Sequence, residues 1–198
     1  MRYDAAHKQE TRKRVVKAAA KAIRSKGPFK VGVAGVMAEA GLTHGGFYAH
    51  FASKDDLIAA GVERMFEEAR QSWVRETGER PPKAALAAYV DFYLSQRHRD
   101  SRSAGCPLPF LAADAPRLSR NARQSFAAGV ADLTGRLSQR LAAVGRTDPE
   151  GEARSLLAEM VGALSLARAD PDRARSDTIL KTSRAAVKAR FQLEPETP

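Results

Sequence analysis

The stretch from Val33 to Phe51, VAGVMAEAGLTHGGFYAHF, constrains the fold of this chain more than any other. Its apolar residues recur at helical spacing up to Gly41, where a left-handed residue is needed to end a helix and redirect the chain. Thr43 is a good N-cap for a second helix that starts at His44. Two short helices around a tight turn predict a helix-turn-helix, the outline of a DNA reader.

The second helix carries two adjacent glycines, Gly45 and Gly46, and each costs a helix about 1 kcal/mol relative to alanine. Such a pair is expected where the backbone must approach something closely. Phe47 and Phe51 are four residues apart and therefore share the buried face. The side chains that turn outward, toward whatever the helix reads, are those of His44, Tyr48 and Ala49.

Basic residues are concentrated near the same region. Residues 1–60 carry 11 Lys and Arg against 5 Asp and Glu, whereas the remainder carries 22 against 18. The alternative interpretation is a solvated helix face, but the adjoining helix-turn-helix pattern favours nucleic acid. The residues predicted to face a phosphate backbone are Lys8, Arg12, Lys13, Arg14, Lys17, Lys21, Arg24, Lys26 and Lys30.

Helical patterns also account for the rest of the chain. A first amphipathic helix should end near Lys26, and Ser53 with Asp56 forms a variant capping box that opens a helix linking two domains. Thr147 with Glu150 predicts another capping box. Further helices are predicted over residues 84–96, 110–113, 118–141, 147–169 and 179–191.

From Gly41 the sequence runs GLTHGGFYAHFASKDDL, which resembles the end of the DNA-binding domain of TetR-type repressors. In that family a Gly, a small hydroxylated residue, a Tyr, a Phe and a Lys before an acidic pair follow in this order. The resemblance covers residues 10–66, and the remainder only by its all-helical organisation. Two departures stand out: Gly32 and Val33 replace the usual Thr or Ser cap, and Gly35 falls inside the supporting helix.

The resemblance implies an all-α fold, with a helix-turn-helix three-helix domain over residues 1–52 and a helical ligand-binding and dimerisation domain over residues 53–198. It also implies a homodimeric transcriptional regulator, usually a repressor, that binds a palindromic double-stranded DNA operator and is released by a small-molecule effector. In this interpretation Thr43, Tyr48 and Lys54 hold phosphates, and His44, Gly45 and Gly46 lie against base edges. His50 is a weaker candidate.

Two sets of residues in the C-terminal domain follow from the same resemblance. One is a group of aromatic residues for an apolar ligand cavity, although ordinary packing explains any single member at least as well. The other is a helix pair that joins its mate from a second chain, with internal packing as the alternative. The cavity residues are Trp73, Tyr89, Phe92, Tyr93, Phe110 and Phe126. The interface residues are Leu156, Leu157, Met160, Val161, Leu164, Ile179, Leu180 and Val187.

Cys106 follows a polar stretch, Arg97–Gly105, that is predicted to be a loop. A thiolate there, stabilised by Arg97, Arg99 and Arg102, would sense oxidants or electrophiles, as some TetR-type regulators do. The alternative is a small buried hydrophobe.

Other classes of protein fit the sequence less well. The histidines are scattered, no metal-ligand spacing appears, and no glycine-rich phosphate loop follows a strand, so we expect no enzyme, no metal and no cofactor. Without an apolar run of 18 residues or a secretory signal, we expect a cytoplasmic protein with no membrane partner. A helical adaptor that binds only proteins remains an alternative, but it leaves the basic N-terminus and the double glycine unexplained.

Overall fold

A computed structural model describes residues 2–193 of the chain, and within that range the secondary structure is entirely helical. This confirms the predicted all-α class. None of the described helices is long and apolar enough to cross a membrane. The α-helices are α1 (Arg2–Lys26), α2 (Val33–Glu39), α3 (Lys54–Thr77), α4 (Pro82–Tyr93), α5 (Gln96–Asp100), α6 (Leu108–Leu111), α7 (Arg120–Ala143), α8 (Pro149–Ala169) and α9 (Arg173–Arg190). Two 3₁₀ helices span His44–Ala49 and Ala115–Arg117.

The first of two compact units contains the chain up to Glu68 together with Phe110–Gly129, and so extends beyond the predicted boundary at residue 52. In this unit α1 packs on α2, and α2 packs on the His44–Ala49 helix. Helix α1 also lies close to α3, since a Cβ added at Gly61 would come within 2.7 Å of Ile23 Cδ1. The glycine therefore permits the close approach of the two helices that support the helix-turn-helix.

The second unit contains Ala69–Pro109 and the chain from Val130 onward, and α8 and α9 make its largest helix contact. The N-cap of α8 differs from the sequence prediction. Asp148, and not Thr147, caps α8, by accepting a hydrogen bond from Gly151 N at 3.0 Å. Asp172 caps α9 in the same way, through Arg175 N. Carboxylates at these positions also interact favourably with the positive end of the helix dipole.

The prediction of a polar loop over 97–105 is wrong in part, because residues 96–100 form α5. Ser95 caps this helix by accepting from His98 N at 3.1 Å. His98 and Arg99 are buried, and Arg99 pairs with Asp100 and Asp177 and donates to Ser176 Oγ. Compensating partners from a distant helix allow polar residues to enter the core here, and no local pattern reveals them.

Replacement of Gly35 by alanine should stabilise the protein by about 0.5–1 kcal/mol, since glycine inside a helix costs backbone entropy. Gly35 is exposed on α2, and a Cβ there would meet nothing within 4 Å. Urea unfolding of G35A measures the gain. Gly41→Ala is the matched control: its φ of +72° strains any L side chain, so this variant should lose stability. Equal effects of the two substitutions would contradict the argument.

Candidate DNA-binding surface

The turn after α2 has the predicted geometry. Gly41 adopts a φ of +72°, its amide donates to Ala38 O at 3.0 Å, and the next amide, of Leu42, donates to Met37 O at 2.9 Å. These bonds close the helix end and turn the chain toward the next segment. The local sequence signal was sufficient because this turn depends on the left-handed conformation of one residue.

The second helix of the motif is a 3₁₀ helix, His44–Ala49, where we predicted an α-helix. The glycine pair lowers α-helical propensity, and the predicted cap is wrong: Thr43 makes no side-chain cap hydrogen bond. The predicted faces are nevertheless correct. Phe47 and Phe51 are buried and stacked with centroids 5.6 Å apart, whereas Tyr48 is 73% exposed.

The glycine pair has no intramolecular steric explanation in this conformation. Neither glycine has a positive φ. A Cβ at Gly45 would meet nothing within 4 Å, and one at Gly46 would meet only ordinary contacts, the nearest at 3.7 Å from Met37 Cε. Gly45 is also exposed, beside the exposed side chains of Thr43 and His44. The space that Gly45 keeps open therefore lies outside the chain.

Lys54 begins α3 and is exposed, as predicted for a residue that meets a phosphate. Its Nζ donates to Phe29 O at 3.3 Å, in the loop between α1 and α2. The start of α3 is itself capped by Ser53, whose Oγ accepts from Asp56 N at 3.1 Å, as the sequence predicted. Lys54 therefore sits on a fixed helix end with its ammonium group at the surface.

The basic side chains of α1 do not form one uniform face. Arg24 was predicted to face phosphate, but its side chain is 2% exposed and lies 2.7 Å from Glu68 Oε2. This residue belongs to the packing of the first unit. Lys21 forms an exposed ion pair with Glu39 at 2.7 Å, and Arg12 covers the Phe51 ring at 4.9 Å from its centroid.

The six aromatic residues predicted for a ligand cavity divide between the two units. Phe110 and Phe126 belong to the first unit, where Phe126 meets Phe66 at a centroid distance of 5.7 Å. In the second unit the rings of Trp73, Tyr89, Phe92 and Tyr93 form a chain of contacts, at 4.5 Å between Trp73 and Tyr89.

Cys106 is buried, with 5% of its surface exposed, and its surroundings differ from the prediction. The charges of Arg97 and Arg99 are already paired, with Glu76 and with two aspartates respectively. The guanidinium that sequence reasoning missed is that of Arg168, which is partly buried and donates to His98 O at 2.8 Å and to Arg99 O at 3.2 Å. Burial lowers its pKa, whereas Tyr93 and Cys106 raise it.

His98 holds the Cys106 segment against the end of α4. Its Nδ1–H donates to Tyr93 O at 2.9 Å, and its Nε2 accepts from Cys106 N at 3.1 Å. This pair of bonds requires a neutral ring, and burial lowers the pKa of His98 to about 4. Gly105 fits the same place, since a Cβ there would lie 2.9 Å from Arg168 Nη2 and 3.0 Å from His98 Nε2.

The predicted dimer-interface residues differ in their burial within the chain. Val161 and Ile179 are partly exposed. The other six are buried among residues of the same chain. They are Leu156, Leu157, Met160, Leu164, Leu180 and Val187. The large apolar residue that α8 leaves exposed is Leu166, at 63%.

An N-terminal helix-turn-helix followed by a helical unit is the architecture of a DNA-binding regulator. Residues 15–60 match the family described as bacterial regulatory proteins, tetR family. Residues 15–60 therefore carry the N-terminal domain typical of TetR-family transcriptional regulators. Proteins of this family are regulators and not enzymes. No curated protein sequence matches the chain.

Solved structures of similar fold extend over nearly the whole chain. NemR of Escherichia coli, in a structure described as its reduced form, is 24% identical over 91% of this chain and 97% of its own, with a TM-score of 0.77. A TetR transcriptional regulator from Chloroflexus aurantiacus is 23% identical, over 94% and 96%, with a TM-score of 0.80. One from Agrobacterium tumefaciens is 23% identical, over 90% and 98%, with a TM-score of 0.74.

The neutral state of His98 predicts a pH dependence of stability. Its folded pKa is near 4 and its unfolded value near 6.5, so as pH falls the unfolded chain binds the proton first. The stability present above pH 6.5 should therefore decline by up to about 3 kcal/mol as pH falls to 4. Urea unfolding at several pH values measures this loss. The free energy of unfolding should fall less steeply with pH for His98→Asn than for the wild type. It should fall as in the wild type for His7→Asn, which replaces an exposed histidine. Equal slopes in all three proteins would contradict this assignment.

Proposed function

We propose that the protein is a homodimeric repressor that reads a palindromic operator through the surface around the His44–Ala49 helix. The observation that carries this proposal is an exposed, rigidly backed surface whose glycines have no role inside the chain. Phe47 and Phe51 fix the helix from below, so Thr43, His44 and Tyr48 project together from its other side. A cytoplasmic location follows from this function.

Each exposed residue has a distinct role in this proposal. The Thr43 hydroxyl makes no cap hydrogen bond, so it can donate to a phosphate oxygen, as can the Tyr48 hydroxyl. Lys54 exchanges its 3.3 Å bond to Phe29 O for a phosphate. Gly45 and Gly46 let the helix backbone lie against base edges, where His44 can donate to a guanine acceptor.

Gly45→Ala should leave the fold intact and weaken operator binding, because the added methyl group meets nothing within the chain but occupies the space kept for DNA. Selection from random duplexes should first enrich a palindrome. Fluorescence anisotropy on that site should then give an affinity loss of about 1–3 kcal/mol for Gly45→Ala and for Tyr48→Ala. Gly35→Ala is the matched control and should retain affinity. Failure to enrich any site, or wild-type affinity in both variants, would exclude this surface.

For the dimer, we propose an interface on the outer side of α8 around Leu166, in place of the buried residues predicted from the sequence. The exposed positions Ser155, Ala158 and Leu166 recur on this helix, and Gly162 between them is partly exposed. Small side chains permit close approach of a second helix, and Leu166 supplies apolar area. A dimer places two reading helices at the fixed spacing that a palindrome requires.

Leu166→Glu should convert the dimer to a monomer, because the interface would bury an uncompensated carboxylate twice. Light scattering after size exclusion measures the mass. Val74→Glu is the matched control, since Val74 is a similarly exposed apolar residue (59%) on α3. A dimeric Leu166→Glu protein, or a monomer from both variants, would refute the placement.

We propose that an effector acts in the second unit by favouring a conformation that fits the operator poorly. A non-covalent ligand among Trp73, Tyr89, Phe92 and Tyr93 would have to separate rings that are in contact. This requirement couples effector binding to a conformational change, because the ligand can bind only when the core of the second unit has rearranged. Occupancy by an aromatic or other apolar molecule fits these side chains best.

The second candidate is a covalent effector at Cys106. It is supported by the partly buried guanidinium of Arg168 and the Tyr93 hydroxyl, both of which interact with this residue electrostatically. That the structure of NemR is described as a reduced form is consistent with redox chemistry in a protein of this fold. Hydrogen peroxide would convert the thiol to a sulfenic acid and release water.

Treatment with hydrogen peroxide should therefore lower operator affinity at least about tenfold in the wild type, the usual scale of allosteric coupling. Cys106→Ser should be insensitive to the treatment. Mass spectrometry after dimedone labelling would report the sulfenic acid. Wild-type sensitivity that persists in Cys106→Ser, or a modified protein with unchanged affinity, would leave the non-covalent effector.

A further inference from the structure

The first unit contains a cleft of about 620 Å³ that the DNA-binding role leaves unexplained. Helix α1 contributes Arg12, the end of the helix-turn-helix contributes His50, and α3 contributes Asp56 and Glu63. The first half of α7 closes the cleft with polar side chains that include Gln124. The volume lies within the range of about 300–1,000 Å³ that is usual for small-molecule sites.

One part of the cleft is suited to an anionic group. The Arg12 guanidinium is held over the Phe51 ring, which fixes its position without neutralising its charge. His50 Nδ1 is buried and has no hydrogen-bond partner among the residues that the structure describes. Burial lowers the pKa of His50, and the charges of Lys8 and Arg12 lower it further, so the ring is neutral at pH 7. A neutral imidazole with an unsatisfied nitrogen indicates a polar partner that is absent from the chain.

Another part of the cleft is suited to a cationic group. Glu63 is exposed and its Oε1 accepts a hydrogen bond from Ser125 Oγ on α7 at 2.9 Å, which leaves its other oxygen atom to a second donor. Asp56, about two helical turns earlier in α3, lines the same cleft. The cleft also has an apolar part of its lining, which consists of one phenylalanine and four alanines. These residues are Phe51, Ala52, Ala59, Ala60 and Ala128.

We propose that this cleft binds a small zwitterion of the α-amino-acid type. Its carboxylate is held by Arg12 and His50, its ammonium group by Glu63 and Asp56, and its side chain lies on the alanine-rich wall. Because α1, α3 and α7 all contribute, the bound molecule connects the helices that support the His44–Ala49 segment. By linkage, such a ligand and DNA must alter each other's affinity whenever they favour different arrangements of these helices.

The test uses the full-length protein without DNA, so its failure leaves the proposed repressor function untouched. The probes are the twenty protein L-amino acids, each with its N-acetyl derivative and its carboxamide, which lack one of the two charges. At least one amino acid should raise the thermal midpoint in a concentration-dependent way. Both derivatives of that amino acid should bind at least about tenfold more weakly, as expected for loss of a charge-assisted contact.

Two variants test the placement of the ligand. Arg12→Gln and Glu63→Gln should each weaken calorimetric binding of the active amino acid at least about tenfold. Arg123→Gln, a change at an exposed α7 position outside the cleft, is the matched control and should bind normally. The midpoint of each unliganded variant checks its fold. The proposal is overturned if no amino acid binds, if the derivatives bind as well, or if folded Arg12→Gln and Glu63→Gln proteins retain full affinity.

Discussion

The stacked pair of Phe47 and Phe51 is the contact on which the proposed DNA-binding surface depends. A six-residue 3₁₀ helix with two glycines has little stability of its own, so it must be held by tertiary contacts. Burial of both rings supplies those contacts and determines which side chains point outward. The two glycines therefore do not have to stabilise the segment, because the aromatic rings anchor it at its C-terminal end.

Features set by neighbouring residues were readable from the sequence. The left-handed turn at Gly41, the Ser53 cap and the Phe47–Phe51 face each depend on residues within five positions of one another. The all-helical class followed from periodicity for the same reason. A local pattern gives the wrong residue where two neighbouring residues can both act as an N-cap. Asp148 caps α8, whereas the pattern predicted Thr147.

Features set by distant partners were not readable. Nothing near Arg24 reveals that Glu68 neutralises it, and nothing near Arg99 reveals Asp177. The amphipathic pattern of α8 was read correctly as apolar, but a pattern does not distinguish burial within one chain from burial between two. Only the fold assigned Leu164 to the core and Leu166 to the surface. The residues proposed to contact DNA were identified chiefly by family resemblance.

The exposure of Tyr48 has a thermodynamic consequence. Most of its ring is exposed to water, on a segment that the buried rings of Phe47 and Phe51 hold in place. Covering that ring on a nucleic acid would release hydration water without first ordering the segment that carries it. Association would then show a negative heat-capacity change with little of the entropic penalty that accompanies folding on binding. The conformational entropy of the segment that carries the Tyr48 ring is thus lost when the protein folds, and not when it binds.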